Sequence, residues 1–194
     1  MANTVLLKKY TQMPYNRKEI RRYAGVSGEL PEIESVMEEC IGEANEKLTY
    51  KVCYAEFDIM NQDGVIDLGF MKTKSMDLMK NLDGCKKIVV FAATVGLELD
   101  RLITKYARIS PVKALMFQAI GAERIEALCD TFTEDVLRKK QIKPRFSAGY
   151  GDFPLEAQKN IFSVLDPARR IGLSLNESLL MSPSKSVTAI IGIK

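Results

Sequence analysis

The sequence contains no histidine and no tryptophan among its 194 residues. Without histidine, a Ser-His-Asp or Cys-His nucleophile cannot form within this chain, and histidine-ligated zinc or iron sites are excluded. The cysteines are few, widely separated and never arranged as C-x-x-C, so they also lack the usual spacing of a zinc site. We therefore predict no metal site and four free thiols, as expected in a reducing cytoplasm. The thiols belong to Cys40, Cys53, Cys85 and Cys129.

Long hydrophobic runs are also absent. No apolar stretch approaches the ~20 residues that span a bilayer. The segment from Met1 to Lys9 runs at once into charged and polar residues, unlike a secretory signal. The net charge is only +3, and the basic residues form short groups between acids, which is typical of a solvated surface. We therefore predict a cytoplasmic protein with neither a membrane nor a nucleic-acid partner.

The length and composition predict a single domain over residues 1–194. Apolar residues recur at helical spacing in several segments, whereas β-formers cluster or alternate in others. Together these patterns predict an α+β fold, in which a twisted antiparallel or mixed sheet carries packed helices. Residues 1–15 are predicted as an irregular or extended arm. Helices are predicted over 16–23, from 31 to 48, and over 73–82, 97–107, 110–139 and 152–166, and strands over 50–59, 65–70, 87–94, 173–181 and 186–193.

One short segment has the residues that grip a small zwitterionic ligand. Arg145-Phe-Ser-Ala-Gly-Tyr150 follows the long predicted helix. Arginine offers a planar fork of donors to a carboxylate, and glycine permits a close backbone approach or a positive φ. Tyrosine supplies a flat ring and a hydroxyl. Taken alone, the same residues also suit a plain loop whose arginine caps a helix and whose tyrosine fills a gap.

The long predicted helix carries a stripe of carboxylates beside its apolar stripe. Spacings of three and four residues place these carboxylates on one face. Such a face is usually solvated, but beside a cationic ligand one of the carboxylates would supply a counter-charge. The carboxylates belong to Glu123, Glu126, Asp130 and Glu134.

The motifs from Arg145 onward come in a distinctive order. Arg145-Phe-Ser-Ala-Gly-Tyr-Gly-Asp-Phe-Pro154 precedes a predicted helix, and then come Ile171-Gly-Leu-Ser-Leu-Asn-Glu-Ser-Leu-Leu-Met-Ser-Pro183 and Lys185-Ser-Val187. This order resembles the S-adenosylmethionine-binding activation domain of cobalamin-dependent methionine synthase. That family has an R-x-x-x-G-Y-x-x-x-P loop, a helix, and an L-T-E-S-x-x-M-x-P-x-x-S-V segment. The resemblance is specific over 145–187, looser over 91–140 and weak before that.

The resemblance implies S-adenosylmethionine as the ligand and assigns its contacts residue by residue. Arg145 would hold the methionine carboxylate, and the backbone near Ser147 would read the adenine. Gly149 would contact the ligand, and the Tyr150 ring would pack against it. The family also has a ligand-contacting glutamate on the long helix in an A-E-A-like context, which Ile125-Glu126-Ala127 matches, so Glu126 would face the ligand. No residue of this chain is assigned a catalytic role.

The sequence departs from the family pattern in three places. Phe146 and Ala148 stand where the family has prolines, so we expect a less rigid loop. No residue gives a clear match to the family's N-terminal aspartate. Fuller family members continue past the position of Lys194 with a strand that brings a ligand-contacting tyrosine. We therefore expect weaker affinity, or a pocket completed by a partner.

The resemblance implies an accessory role in a methyltransferase system. In the family, occasional oxidation of cob(I)alamin leaves inactive cob(II)alamin. An electron donor such as flavodoxin, together with the methyl group of S-adenosylmethionine, restores methylcobalamin. Without histidine, this chain cannot ligate cobalt through a D-x-H-x-x-G segment. Cobalamin would therefore be carried by a partner, a corrinoid-carrying methionine synthase chain, and this chain would be a stand-alone reactivation module.

Two alternatives remain open at this point. One is a non-catalytic S-adenosylmethionine-binding or interaction protein that retains the fold. The other is a small-molecule methyltransferase with its own substrate pocket. Turnover of S-adenosylmethionine without any corrinoid protein would distinguish the second alternative from the other two functions.

Overall fold

A computed structural model describes residues 4–11, 13–28 and 30–194 of the chain. The strands in these ranges are β1 (Leu6–Tyr10), β2 (Tyr50–Asp58), β3 (Met60–Gln62), β4 (Val65–Asp67), β5 (Lys72–Thr73), β6 (Lys87–Thr94), β7 (Ser174–Leu175), β8 (Met181–Ser182) and β9 (Ser186–Ile193). The helices are α1 (Arg17–Tyr23), α2 (Pro31–Asn45), α3 (Met76–Asn81), α4 (Glu98–Ile109), α5 (Pro111–Leu137), α6 (Ala157–Leu165) and α7 (Pro167–Ile171). None of these helices is long and apolar enough to cross a membrane.

The largest sheet has four antiparallel strands in the order β1-β2-β6-β9. Strand β6 lies between two long partners and pairs along its whole length with both β2 and β9. The predicted strand over 87–94 has these bounds and is the centre of the sheet. The predicted α+β fold is therefore confirmed, and the main sheet is antiparallel. Two smaller sheets, β3-β4-β5 and β7-β8, are antiparallel as well.

Helices cover both faces of the main sheet. Side chains of β6 alternate between the faces, with Val89 and Phe91 on one side and Ile88 and Val90 on the other. The first face packs against α1, α2, α4 and α5, and the second against α3, α6 and α7. Because both faces of β6 are buried, its sequence is almost continuously apolar and does not alternate with polar residues.

Helix α5 begins with two residues, Ser110 and Pro111, that favour a helix N-terminus. The Ser110 hydroxyl accepts a hydrogen bond from the Lys113 N–H at 3.4 Å, and Pro111 occupies the first helical position, where no N–H is needed. Most of the predicted apolar stripe is buried or partly buried. Val112, an apolar residue in the first turn, is 51% exposed, because the buried part of α5 begins only at Met116.

Two charged residues of α5 are buried. Glu123 and Arg124 are 4% and 0% exposed. Arg124 donates to both carboxylate oxygens of Glu123 at 2.5 and 2.6 Å, and to the carbonyl oxygens of Met13 and Pro14 at 2.7 and 2.6 Å. Its guanidinium also lies 3.9 Å from the centroid of the Tyr15 ring. The prediction of a solvated carboxylate is therefore wrong for Glu123, which helps to hold the segment before α1 against α5.

The N-terminal arm is more regular than the sequence suggests. Part of it forms β1, which pairs with β2 from Leu6 opposite Tyr54 to Tyr10 opposite Tyr50. Residues 1–3 and 12 of the predicted arm lie outside the described residues. The pairing with a long neighbouring strand, and not a local apolar pattern, makes this segment a strand.

Two predicted strands differ from the observed ones. The strand predicted over 65–70 is observed as the shorter β4, which follows a turn at 63–64 and pairs with the short β3. The predicted strand over 173–181 is regular only near its ends, where β7 and β8 pair with each other as a short hairpin. Helix α7 has no counterpart among the predictions.

The four cysteines are free thiols, as predicted. Burial raises the pKa of Cys53 and of Cys129 to about 12. Both thiols are therefore protonated and poor nucleophiles near neutral pH.

The buried pair of Glu123 and Arg124 is expected to stabilise the folded protein. Removing one partner leaves the other charge and two carbonyl groups without compensation, so Arg124→Ala should lower the free energy of unfolding by about 3–5 kcal/mol. Arg101→Ala is the matched control, because Arg101 pairs with Glu98 at an exposed position and should cost less than about 1 kcal/mol. Urea unfolding of both variants measures the difference. Equal losses would contradict a structural role for Arg124.

Candidate ligand-binding site

The loop over residues 145–150 forms part of the wall of a cavity of about 430 Å³. This volume lies within the range of about 300–1,000 Å³ that is usual for small-molecule sites. The cavity lies between α5, the loop that follows it, the start of α6 and the edge strand β9. Its walls are formed by Glu126, Arg145, Ser147, Ala148, Tyr150, Gln158, Met181, Ser186, Val187 and Thr188.

The cavity exists because a loop leaves the edge of the main sheet. Phe146 and Ile190 exchange two backbone hydrogen bonds, of 2.9 and 2.8 Å, and so pair the loop with β9. Antiparallel pairing alternates, so the N–H and C=O of Thr188 point to the same side as those of Ile190. There the loop has already turned away, and Thr188 lines the cavity. The N–H of Phe146 is needed for this pairing, and a proline at this position could not donate it.

A tight turn carries the loop away from β9. The N–H of Gly149 donates to the carbonyl of Phe153 at 2.8 Å, and the N–H of Tyr150 donates to the carbonyl of Ser147 at 3.3 Å. The φ of Gly149 is +91°, a conformation that residues with a side chain rarely adopt. The turn places the Tyr150 side chain at the mouth of the cavity, where it is 67% exposed.

The far end of the loop is anchored by Asp152. Its carboxylate accepts hydrogen bonds from the Ser75 hydroxyl and from the N–H groups of Met76 (2.7 Å) and Asp77 (3.2 Å). These groups lie at the start of α3, where backbone N–H groups have no partner within the helix. The hydrogen bond from Ser75 is the main reason why the pKa of Asp152 is lowered. The predicted helix over 152–166 therefore begins later, at Ala157, because Asp152 caps a different helix.

The side chain of Arg145 joins the loop to α5. Its two terminal nitrogens donate to Asp130 at 2.6 Å and to Glu126 at 2.9 Å. Burial lowers the pKa of Arg145, but nearby negative charges, including these two carboxylates, outweigh it, so the pKa is raised overall. These two contacts use two of the five N–H donors of a guanidinium, which leaves others for a ligand. With one positive and two negative side chains, the cluster has a net negative charge.

A second cavity, of about 550 Å³, shares Glu126 with the first. It lies between α5 and the segment before α1, which Arg124 holds in place through the carbonyl groups of Met13 and Pro14. The charged groups in its walls are all carboxylates. They belong to Glu19, Glu123, Glu126 and Asp130, beside Met13, Pro14, Asn16, Tyr23, Ala127 and Thr131.

The structure brings most of the predicted site residues together. Arg145, Ser147, Tyr150 and Glu126 line the first cavity. Gly149 shapes the turn and is not among the lining residues. The contact of all five residues with a ligand stays a prediction.

Several residues of the wall were not predicted from the sequence. On β9 these are Ser186, Val187 and Thr188, and the signal was present, because two hydroxyl residues lie on one side of an otherwise apolar strand. Gln158 of α6 was missed as well. In the helix predicted over 152–166, Gln158 shares a face with the apolar residues Leu155, Phe162 and Leu165, and a polar residue on such a face is informative.

No cluster of three or more Asp, Glu, Cys or His side chains suited to a metal ion occurs in the part of the chain that the structure describes. The first cavity offers a ligand charged side chains and hydrogen-bonding groups.

Comparison with known proteins identifies the fold. No sequence family matches the chain, and no curated protein matches it. Among solved structures, it is similar to the crystal structure of the MetH reactivation domain bound to AdoHcy, with a TM-score of 0.69. The match covers 98% of this chain and 78% of that one, at 16% sequence identity. The chain therefore has the fold of the MetH reactivation domain, as the resemblance implied, and identity this low shows the fold alone.

The hydrogen bonds of Asp152 predict how the stability of the protein depends on pH. Asp152→Asn replaces an acceptor of three hydrogen bonds with an amide and should lower the melting temperature by a few degrees. The pKa of Asp152 lies below its usual value of 3.8 in the folded protein, so its contribution is present above about pH 4. It is lost as the pH falls through the lowered folded-state pKa.

Melting curves of the wild type and the variant from about pH 7 to about pH 2 should therefore converge at the acid end. Asp58→Asn is the control, because this carboxylate is 84% exposed and its ion pair with Lys87 is long, at 3.6 Å. A difference between the wild type and Asp152→Asn that does not change with pH would contradict the role of the carboxylate.

Proposed function

We propose that this chain binds S-adenosylmethionine in the first cavity and presents its methyl group for the reductive remethylation of cob(II)alamin on a partner chain. In this role it is a stand-alone reactivation module for a cobalamin-dependent methionine synthase, with flavodoxin or another one-electron donor as the reductant. The observation that carries the proposal is the meeting of Arg145 and Glu126 in one cavity, in a chain with the fold of the MetH reactivation domain.

The charge of the site supports a cationic methyl donor. S-adenosylmethionine has a sulfonium, an ammonium and a carboxylate, so its net charge is positive near neutral pH. Arg145 has N–H donors left for the ligand carboxylate, while Glu126 and Asp130 bring a net negative charge to the same place. The demethylated product, AdoHcy, lacks the sulfonium and has no net charge. The site should therefore hold the methyl donor more tightly than the product.

The residues of this chain act by holding and orienting the ligand. S-adenosylmethionine supplies the activated methyl group, and a binding site contributes to its transfer chiefly by positioning. Arg145 would fix the carboxylate, and Glu126 would face the positive end of the ligand. The backbone groups of Thr188 and the loop around Ser147 offer neutral hydrogen bonds to the remainder. None of these roles requires a nucleophile or a general base.

The mouth of the cavity has features that suit a partner. Tyr150 and Leu180 are 67% and 65% exposed, and Leu155 is also exposed. Tyr150 lines the cavity, and Leu180 directly precedes Met181, which also lines it. Exposed apolar side chains around a cavity are typical of a surface that another molecule covers. The proposed partner is the corrinoid-carrying methionine synthase chain, whose cofactor would approach the methyl group from this side.

Binding measurements test the ligand and the two charged groups. Arg145→Ala should weaken S-adenosylmethionine by at least about tenfold, because a charge-assisted hydrogen bond contributes about 1.5–3 kcal/mol. Arg145→Lys should recover part of the loss, since lysine keeps the charge but not the fork. Calorimetric titration measures both variants. Wild-type affinity in Arg145→Ala would show that this loop does not hold the ligand carboxylate.

The role of Glu126 is tested by comparing two ligands. Glu126→Gln should weaken S-adenosylmethionine by about two- to fivefold more than AdoHcy, because a half-exposed charge pair contributes up to about 1 kcal/mol. Glu134→Gln makes the same chemical change on the same helix at an exposed position and should affect neither ligand. Equal losses for the two ligands in Glu126→Gln would contradict a contact with the sulfonium.

The full function is tested in a reconstituted reaction. A methionine synthase that lacks its own reactivation domain is prepared with cob(II)alamin and mixed with a one-electron donor, S-adenosylmethionine and this chain. The absorption spectrum should then report methylcobalamin, and it should not when the chain is Arg145→Ala or when AdoHcy replaces the methyl donor. Binding without remethylation would instead support a non-catalytic S-adenosylmethionine-binding protein. Failure to bind at all would reject both functions.

A further inference from the structure

One buried polar group in the cavity has no partner. Gln158, the second residue of α6, is only 6% exposed and lines the first cavity. Its side-chain oxygen is buried and has no hydrogen-bond partner among the described residues. A buried acceptor without a partner costs the folded state free energy, and an apolar side chain of similar size would avoid that cost. The position therefore suggests a partner that comes from outside the protein.

The neighbours of Gln158 do not supply that partner. On α6 it is flanked by the buried apolar residues Ala157 and Ile161. On β9, the Ser186 hydroxyl is already engaged with the Thr94 hydroxyl at 2.9 Å and the Pro183 carbonyl at 2.8 Å. Among the described residues that line the cavity, Gln158 is the one with a fully buried side-chain atom that has no hydrogen-bond partner.

Most of the cavity wall is neutral. Its charged residues are Arg145 and Glu126, which are paired with each other, and the other lining residues carry no charge. A neutral wall with an amide suits an uncharged planar group that has both a donor and an acceptor. The primary amide of glutamine matches such an edge with two hydrogen bonds, as it does the amino group and N7 of adenine.

We propose that Gln158 is a specificity-determining residue that reads the edge of an aminopurine, the adenine of an S-adenosyl ligand. The inference rests on the proposed function, because that function supplies the adenosyl group. When the side chain turns its amide into the cavity, the carbonyl accepts from the exocyclic amino group and the NH2 donates to the adjacent ring nitrogen. Both amide atoms are used, so the purine is selected by its pattern of one donor beside one acceptor. A purine with hydrogen in place of the 6-amino group keeps the ring acceptor and lacks the donor beside it.

The test compares two ligands that differ only in the amino group. One is AdoHcy, and the other is its analogue in which hydrogen replaces the 6-amino group of the purine. The wild-type protein should bind AdoHcy on the order of tenfold more tightly, because the analogue leaves the buried Gln158 oxygen without a donor. Gln158→Met, which keeps the length of the side chain but not its amide, should bind the two ligands within about twofold of each other.

Controls separate this inference from the proposed function. Gln118→Met places the same change at an exposed position of α5 and should keep the wild-type preference. Melting curves check folding, and Gln158→Leu serves as a second variant if Gln158→Met is poorly folded. Wild-type protein that binds neither ligand would overturn the proposed function and this inference together. Tight binding of AdoHcy with an unchanged preference in both Gln158 variants would overturn only the role of Gln158.

Discussion

The contact of Arg145 with Glu126 and Asp130 holds together the two parts of the chain on which the site depends. One part is the long helix α5, which is fixed by its packing on the sheet. The other is the loop that leaves β9 after Phe146, in which Ala148 and Phe153 are buried in the core but Tyr150 is exposed. The ion pairs close one side of the cavity, and Asp152 secures the other end of the loop against α3. The shape of the cavity and its charge therefore depend on the same small set of contacts.

These contacts also explain why the site suits its proposed ligand. A lone arginine would attract any carboxylate, but Arg145 between two acids gives a site that is negative overall while it still has donors to offer. Such a site favours a ligand that carries both signs with an excess of positive charge. The neutral part of the wall, which includes Gln158, then selects by hydrogen bonds. The proposed function needs no more from this chain than positioning, which agrees with a sequence that has no histidine.

The sequence predicted what local patterns determine and missed what distant contacts determine. The continuous apolar run of β6 and the cap and proline of α5 are local signals, and the structure agrees with the elements that they predicted. Asp152 instead caps a helix that lies about seventy-five residues earlier, and Glu123 is buried because the N-terminal segment covers it. Neither contact follows from residues nearby in the sequence. Gln158 was visible only as a polar residue on an apolar helix face.

The wall of the first cavity is assembled from segments that are far apart in the chain, from α5 at residue 126 to β9 at residue 188. No single helix or hairpin contains the site, so a ligand can recognise only the assembled protein and not a partly unfolded one. The free energy of binding is therefore added to the stability of the whole fold. At a ligand concentration a hundredfold above Kd, that gain is about 2.7 kcal/mol, so the protein would be most resistant to unfolding when its ligand is abundant.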